Sequence, residues 1–357
     1  MGPRGVLEQL VLGALQKPPC LVSFSGGRDS SLVLAVAVHV ARREGLPLPV
    51  PYTRYFGDAP EAEEGPWQEM VVRHLGLADW QRVGAGADME LVGARAQGFL
   101  LRHGVVFPPM LYVLGESLGA ARGGSHLSGE GGDQVLGPRR ATYLRFALSS
   151  PRWTARPAAA RAVFAQLAPR PVRYRLLRRR YEAFSPRAWL RPAALSAMAS
   201  QLAWERAGEP LLARGGLRWE LASRRTSLIR ANVAALAATY AVAHCDPLLE
   251  PAFVAALARA GGRLGFSSRA AAMAYLAGDL LPQRTIGRST KAVFNTAYLG
   301  PLARDFARRW SGAGADPGLV DPEALRAEWL KPVPAAQSFV MLQAAWLAEN
   351  RPPAQDR

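Results

Sequence analysis

The sequence contains very little lysine and cysteine. Of its 44 lysines and arginines, only Lys17, Lys291 and Lys331 are lysine. Two cysteines, Cys20 and Cys245, are too few for a disulfide framework or a cysteine-based zinc site. The five histidines are scattered singly and form no metal-binding spacing. These shortages exclude disulfide-rich secreted scaffolds and zinc-ribbon proteins.

Long apolar runs are also missing. The longest, residues 32–38, is far shorter than the roughly 20 residues that a membrane span needs. No small-residue cleavage site follows the apolar stretch near the N-terminus, so a secretory signal is not expected. Hydrophobic residues make up 49% of the 357 positions and mean hydropathy is −0.01, as in globular proteins. We expect a folded cytoplasmic protein without membrane contact.

Positive charge is in large excess. The 44 basic residues against 28 acidic ones give a net charge of +16. Such a balance is typical of nucleic-acid-binding proteins, but the dominance of arginine, with 34 glycines and 28 prolines, is also typical of genome-wide composition bias. Between residues 151 and 191, eleven arginines accompany a single acid, Glu182. This segment predicts a linker or short surface helices, either as a solvated face or as a docking face.

The first 150 residues alternate between strand-like and helix-like patterns. Strands are predicted at 20–24, 48–56, 79–83 and 125–128, and helices at 30–43, 61–75 and 109–122. This alternation is typical of an α/β fold with a parallel sheet. From residue 195 onward the patterns are helical. We therefore expect an α/β core at 1–150, an Arg-rich insertion at 151–194 and a helical C-terminal part at 195–357.

A glycine-rich turn follows the first predicted strand. Residues 25–30 read Ser-Gly-Gly-Arg-Asp-Ser and lead into a helix. Glycines permit close approach of a ligand and a helix start offers unpaired N–H groups, so this pattern is typical of a phosphate site. It is neither a Walker A loop nor a dinucleotide-binding motif. Asp29 would repel a polyphosphate unless a cation lay between them, which predicts Mg²⁺. A simple turn with a helix cap is the alternative.

A second turn of this kind follows the fourth predicted strand. Residues 128–133 read Ser-Gly-Glu-Gly-Gly-Asp and contain Glu130 and Asp133. Ligands of open α/β sheets bind at the carboxyl ends of the strands, where both turns are expected. Two aspartates and a pyrophosphate offer the oxygen ligands that suit Mg²⁺.

Four segments together resemble the synthetase domain of the asparagine synthetase family. Residues 25–30 are similar to the PP-loop of the N-type ATP pyrophosphatases, and residues 127–137 resemble the second signature of the family. Residues 246–250 (Asp-Pro-Leu-Leu-Glu) are similar to its Pro-Phe-Leu-Asp segment, and residues 281–291 to its Leu-Pro, Arg and Lys stretch. The resemblance implies a PP-loop, Rossmann-like fold and an ATP-dependent, AMP-forming carbon–nitrogen ligase that uses Mg²⁺.

The resemblance also implies roles for individual residues. Glu130 matches the proposed general base for the amine nucleophile, and Lys291 matches a lysine that neutralises charge on the α-phosphate and pyrophosphate. Asp29 and Asp133 are the implied Mg²⁺ ligands. The implied contacts of ATP and pyrophosphate are Ser23, Ser25, Gly26, Gly27, Asp29, Ser30, Ser128, Gly129 and Arg288.

The scarcity of lysine makes Lys291 conspicuous. Fewer than one residue in a hundred is lysine, yet one falls where adenylation needs a cation to stabilise developing negative charge. Lysine provides a compact point charge on a flexible stem, whereas arginine provides a planar fork. A surface lysine in a loop is the alternative interpretation.

One departure from the family concerns the nitrogen source. Glutamine-dependent members begin with a glutaminase domain whose nucleophile is the cysteine exposed after removal of the initiator methionine. Here Gly2 follows Met1 and the phosphate loop begins at residue 25, so we expect no such domain. The nitrogen would then come as free ammonia, from a partner glutaminase, or as an amine of another substrate. Residues 290–300 and 318–325 loosely resemble the macrolactam-forming cyclases of lasso peptides.

Several functions therefore remain open. Within the synthetase hypothesis, the substrate is either a peptide or natural product, with a peptide-processing partner, or aspartate, as in asparagine synthesis. A second class is an RNA-binding PP-loop protein that modifies tRNA and docks through the Arg-rich segment. No catalytic cysteines or zinc cluster support thiolation, so nucleic acid is not the expected partner. A third class is an inactive binding module, for which Arg28 and Gln134 are the departures from the family pattern.

Overall fold

Five parallel strands form the centre of the protein. The computed structural model describes residues 1–55, 64–149, 157–184, 187–290 and 298–351. The strands are Cys20–Ser23 (β1), Val50–Tyr55 (β2), Gln81–Gly84 (β3), Ser125–Leu127 (β4) and Ala243–Cys245 (β5). Their order in the sheet is β3-β2-β1-β4-β5, and every neighbouring pair is parallel. The α/β fold with a parallel sheet is thus confirmed.

Helices account for most of the remaining described residues. The first nine are Pro3–Leu15 (α1), Arg28–Glu44 (α2), Gly65–His74 (α3), Ala94–His103 (α4), Leu111–Ala120 (α5), Gly132–Leu136 (α6), Arg140–Ser149 (α7), Pro157–Leu167 (α8) and Arg170–Ala183 (α9). The others are Pro192–Ala207 (α10), Ala213–Leu221 (α11), Arg224–Thr239 (α12), Pro251–Ala260 (α13), Arg269–Ala277 (α14), Gln283–Ile286 (α15), Pro301–Arg309 (α16), Pro322–Trp329 (α17) and Phe339–Asn350 (α18). Three short 3₁₀ turns lie at Ala87–Met89, Pro247–Leu249 and Ala336–Ser338.

The central strand β1 is buried on both faces. Because side chains alternate along a strand, Cys20 and Val22 join the apolar cluster that includes α1, α2 and α13. Leu21 lies on the other face and joins the cluster that includes α5 and α12. A strand covered on both sides has a continuous apolar sequence, which is why β1 was predictable.

Helix α2 packs deep in the first of these clusters. Its residues from Leu32 to Val38 are at most 1% exposed, so nearly every face of this stretch is covered. The helix ends at Gly45, whose φ of 64° is the left-handed conformation that commonly terminates helices. This buried helix carries the first glycine-rich turn at its N-terminus and fixes that turn against the core.

A separate apolar cluster lies in the C-terminal part. Its large, fully buried side chains include Trp310, Trp329 and Phe339, and Leu91 from the first half of the chain packs with them. The Gln343 amide also donates to the Leu91 carbonyl at 3.3 Å. Distant parts of the chain therefore share this core. The division at residues 150 and 194 stays a prediction.

Strand β5 is an element that the helical patterns after residue 195 did not predict. It contains only three residues, Ala-His-Cys, with no β-branched side chain, and directly follows the Ala-rich helix α12. Its strand conformation comes from pairing with β4 and not from local propensity. Elsewhere the C-terminal part is largely helical, as predicted.

The described residues contain no helix that is both long enough and apolar enough to cross a lipid bilayer.

We expect truncation of a fully buried α2 residue to destabilise the fold. Leu34 is 0% exposed, so Leu34→Ala should lower the free energy of unfolding by about 2–5 kcal/mol through lost burial and a residual cavity. Leu101, which is 53% exposed on α4, is the matched control, and Leu101→Ala should change it by less than about 0.5 kcal/mol. Urea unfolding of both variants tests this, and equal midpoints would contradict the assigned burial of α2.

Candidate active site

The two glycine-rich turns meet at the carboxyl edge of the sheet. In the sheet, β1 lies between β2 and β4, so the chain continues from β1 to one neighbour and later returns to form the other. Ligands of open α/β sheets bind where the strand order reverses in this way. The first turn follows β1 and the second follows β4, so both lie at this point. A cavity of about 1430 Å³ opens over both turns.

The first turn has the geometry of an anion cradle. Gly26 has a φ of 79°, and a β-carbon there would lie 2.8 Å from the Gln68 side chain. Gly27 is extended and immediately precedes α2. The Ser25 N–H donates to Ser30 Oγ at 3.2 Å. Because the first N–H groups of a helix have no acceptor carbonyl within that helix, they remain able to bind an anion.

The second turn packs directly against the first. A β-carbon at Gly129 would lie 2.6 Å from the Ser30 backbone nitrogen. One at Gly132 would lie 2.0 Å from the carboxyl carbon of Asp29. Only glycine permits such close approach at these two positions. The sequence-predicted residues of both turns are therefore brought together, and all of them except Gly26 line the same cavity.

An arginine links the two predicted metal ligands. Arg269, the first residue of α14, donates from its guanidinium to both Asp29 and Asp133. Burial raises the pKa of Asp29, whereas the charge and hydrogen bond of Arg269 act in the opposite direction. Sequence reasoning missed Arg269 because it lies 240 positions from Asp29 and is one of 41 arginines. No local motif distinguishes it.

The two aspartates fit a magnesium ion by their chemistry. Asp29 Oδ1 is buried and has no hydrogen-bond partner, which leaves an oxygen available as a ligand. Mg²⁺ is commonly held by one or two carboxylates together with substrate phosphates and water. Among the described residues, no cluster of three or more His, Cys, Asp or Glu side chains could hold a metal alone. The protein would therefore contribute Asp29 and Asp133 as ligands. Phosphate oxygens and water would supply the remaining ligands of the ion.

Glu130 projects into the cavity from the second turn. Gln134 donates its amide to Glu130 Oε1 at 3.0 Å. Desolvation by the surrounding protein raises the pKa of the Glu130 carboxyl, and the Gln134 hydrogen bond only partly opposes this. A carboxylate with a raised pKa is a stronger base and is better suited to accept a proton from an amine. Its role as a base stays a prediction.

Arg288 stabilises the first turn through its side-chain contacts. Its guanidinium pairs with both carboxylate oxygens of Glu64, in one case at 2.6 Å, and donates to the Gly26 carbonyl at 3.2 Å. It also lies over the Trp67 ring, 4.5 Å from its centre. Arg288 and Glu64 are buried, and Arg288 lines the cavity. In this structure the arginine holds the turn, and its predicted contact with pyrophosphate stays a prediction.

A hydrogen-bonded chain of side chains along the cavity was not anticipated, and all of its members except His126 line the cavity. Ser23 Oγ lies 2.9 Å from His126 Nε2, and the Nδ1 atoms of His126 and His244 are 3.0 Å apart. His244 Nε2 lies 3.0 Å from Asp246 Oδ1, to which the Ser128 hydroxyl also donates. The histidines are isolated in sequence, but parallel pairing of β4 with β5 sets them side by side.

Lys291 lies outside the described residues. The residues immediately before it, Ser289 and Thr290, line the cavity together with Arg288. The catalytic role assigned to Lys291 from the sequence stays a prediction.

Comparison with protein families identifies the class to which this site belongs. The asparagine synthase family model matches residues 4–348, nearly the whole chain. The chain therefore belongs to the asparagine synthase family, as its four motifs indicated. Family membership makes it an ATP-dependent, amidotransferase-like synthetase in general. A search of curated proteins found no match. The likeness to lasso-peptide cyclases stays a prediction.

A β-carbon at Gly132 should separate the two turns. We expect Gly132→Ala to weaken ATP binding about tenfold or more, because the methyl group would overlap the Asp29 carboxyl, and overpacking costs about 1–3 kcal/mol. Isothermal titration with ATP measures the effect.

Gly98→Ala is the matched control for this prediction. Gly98 lies within α4 and a β-carbon there meets nothing within 4 Å. This substitution should leave ATP binding unchanged and stabilise the helix by roughly 0.5–1 kcal/mol. Parental ATP affinity in Gly132→Ala would show that the contact between the turns is not required for binding.

Proposed function

We propose that this protein adenylates the carboxylate of a peptide or natural-product substrate with ATP and Mg²⁺, then transfers the acyl group to an amine. One observation carries the proposal: both glycine-rich turns, the Asp29–Asp133 pair and Glu130 line a single cavity at the reversal point of the sheet. Membership of the asparagine synthase family supports the general chemistry.

In the adenylation step, a carboxylate oxygen of the substrate attacks the α-phosphorus of ATP and pyrophosphate leaves. The N-terminal N–H groups of α2 can bind the departing pyrophosphate. Arg269 places positive charge at the same wall, and Lys291 is predicted to add a second cation. A bound Mg²⁺, held by Asp29 and Asp133, would supply further charge neutralisation. Fixed cations favour this step because negative charge develops on the oxygens of the phosphates.

In the amide-forming step, the amine nitrogen attacks the acyl carbon, the C–O bond to AMP breaks, and a proton leaves the nitrogen. Glu130 is the group placed to accept that proton, because its carboxylate faces the cavity and its pKa is raised by desolvation. Proton transfer by a positioned base typically contributes about 10²–10⁴-fold to the rate.

The extent of the cavity supports a substrate larger than aspartate. Its volume of about 1430 Å³ has to hold ATP as well as the acyl substrate, so the support comes from where the cavity extends. The cavity reaches Tyr181 on α9, Leu202 on α10 and Trp219 on α11, which offer apolar surface away from the phosphate-binding turns. This additional surface suits peptide side chains.

The Arg-rich segment gives limited support to the RNA-binding alternative. Arg173 is buried and donates to the carbonyls of Arg206 and Ala207 at the end of α10. Arg178 pairs with Glu182, 3.1 Å away. Part of the positive charge therefore stabilises helix packing. RNA binding stays a prediction, to be tested by its salt dependence.

Carboxylate-dependent exchange of pyrophosphate into ATP tests the proposal. Peptides that carry an Asp or Glu side chain should support exchange at least tenfold faster than free aspartate. Exchange with aspartate alone would instead indicate asparagine-type amidation. Exchange with no acid at all, together with normal ATP binding, would contradict the synthetase proposal itself.

Glu130→Gln should separate the two chemical steps. We expect ATP–pyrophosphate exchange to persist while amide formation falls about 10²–10⁴-fold, because only the second step needs a base. In the parent enzyme, amide formation should be lost as pH falls through the raised pKa of Glu130, because the protonated carboxyl cannot accept a proton.

Glu205→Gln is the matched control. Glu205 also lines the cavity and accepts from a glutamine four residues away, Gln201, at 2.8 Å. It should retain both steps. Equal loss of amide formation in the two variants would contradict the assignment of Glu130 as the base.

Lys291→Ala should strongly slow adenylation. We expect pyrophosphate exchange to fall at least a hundredfold, because the charge on the phosphates loses a fixed cation. Lys17→Ala serves as the control, since Lys17 is exposed and precedes β1, at the opposite end of the strand from the first turn. Undiminished exchange in Lys291→Ala would remove this lysine from the mechanism.

A further inference from the structure

The five side chains of this hydrogen-bonded chain form a continuous path across three strands. Ser23 ends β1, His126 lies in β4, and His244 lies in β5. Asp246 follows β5, and Ser128 follows β4. The two imidazole rings are stacked, with centres 5.2 Å apart. Ser23 and Ser128 line the cavity at the two ends of the path, His244 and Asp246 also line it, and His126 does not.

The Asp246 end of this path accepts hydrogen bonds and cannot donate. Burial raises the pKa of Asp246, but the hydrogen bonds that it accepts from His244 and Ser128 act in the opposite direction, and its pKa is lowered. An ionised carboxylate is an acceptor only. The Ser128 hydroxyl must therefore donate to Asp246, and its oxygen accepts the Glu130 backbone N–H at 3.0 Å. His244 Nε2 must also carry a proton toward Asp246.

The remaining proton positions follow from this constraint when His244 is neutral. With its proton on Nε2, His244 has only a lone pair on Nδ1. The Nδ1 atom of His126, 3.0 Å away, must then be the donor. Burial lowers the pKa of His126 to about 3, so this imidazole carries a single proton. His126 Nε2 is consequently an acceptor, and the Ser23 hydroxyl donates to it.

The surroundings of His126 disfavour a second proton on it. The ring is 0% exposed. The charges of His244, when protonated, and of Arg54 also act to lower its pKa, while Asp246 acts to raise it. Arg54 itself is engaged with Glu116 and the Val113 carbonyl.

We propose that the Asp246–His244–His126 chain is a polarity relay that holds the Ser23 hydroxyl as a hydrogen-bond acceptor toward the cavity. With its proton committed to His126, Ser23 offers only lone pairs to a ligand. A nucleotide base is then selected for a donor group, and the exocyclic amine of adenine is such a donor. The 6-oxo group of hypoxanthine would meet Ser23 as a second acceptor. The identity of this ligand rests on the proposed function.

The positions of the imidazole protons test the relay without reference to activity. Long-range proton–nitrogen NMR spectra of the full chain report which ring nitrogen carries hydrogen, and they are read at a pH where the spectra themselves show both rings with a single proton. The His126→Gln and His244→Gln variants assign the two sets of signals. We expect His126 protonated at Nδ1 and His244 at Nε2. A proton on His126 Nε2 would reverse the polarity of Ser23 and overturn the proposal.

Nucleotide discrimination tests the consequence for the ligand. The parent should bind ATP at least about tenfold more tightly than inosine triphosphate, because an unsatisfied or opposed polar group costs about 1–3 kcal/mol. Ser23→Ala should remove most of this preference, and Ser23→Thr, which restores a hydroxyl, should recover it. His244→Phe should also reduce the preference, although Ser23 is intact, since it uncouples His126 from Asp246.

The control for discrimination is Ser117→Ala. Ser117 is buried and donates within α5 to the Leu114 carbonyl, away from the chain. It should leave the ATP preference unchanged. An unaltered preference in Ser23→Ala would overturn the proposal. If the protein binds neither nucleotide, there is no nucleotide site and Ser23 cannot have this role. If it binds ATP but transfers no acyl group, only the proposed function is contradicted.

Discussion

Asp29 and Gly132 approach each other so closely that no side chain fits between the two turns that carry them. The rest of the site depends on this contact. It fixes the start of α2, where anions can bind, relative to Glu130 and Asp133. It also buries a carboxylate, which is unfavourable unless a positive charge compensates. Arg269 provides that charge from the start of α14. Its contact with Asp29 holds α14 against the two turns.

Arginine acts within this protein as a connector as well as a surface charge. Helix C-termini leave carbonyl groups without partners, and the buried Arg173 donates to two such carbonyls at the end of α10. Arg140 reaches the carbonyls of Gln166 and Glu209, and Arg326 those of Ala307 and Trp310. One guanidinium has five donors and can satisfy several carbonyls at once. A chain with three lysines can therefore be strongly basic in composition and still use much of that charge internally.

The elements with local signals were predictable, and those created by long-range contacts were not. The apolar sequence of β1 and the glycine-rich turns after β1 and β4 follow from neighbouring residues, so their places in the sheet and cavity could be inferred. Arg269 and the histidine pair have no such signal, because they lie 240 and 118 positions from their partners. β5 was missed for the same reason, since pairing with β4 creates it. Lys291, although conspicuous in composition, lies outside the described residues.

The pairing of β4 with β5 has a consequence for synthesis of the chain. β4 ends at Leu127, whereas its partner begins at Ala243. At ordinary translation rates of about 5–20 residues per second, the intervening segment takes on the order of ten seconds to emerge. During that time β4 has an unpaired edge, and such an edge can pair with other chains. Aggregation through β4 therefore competes with folding until β5 has been synthesised.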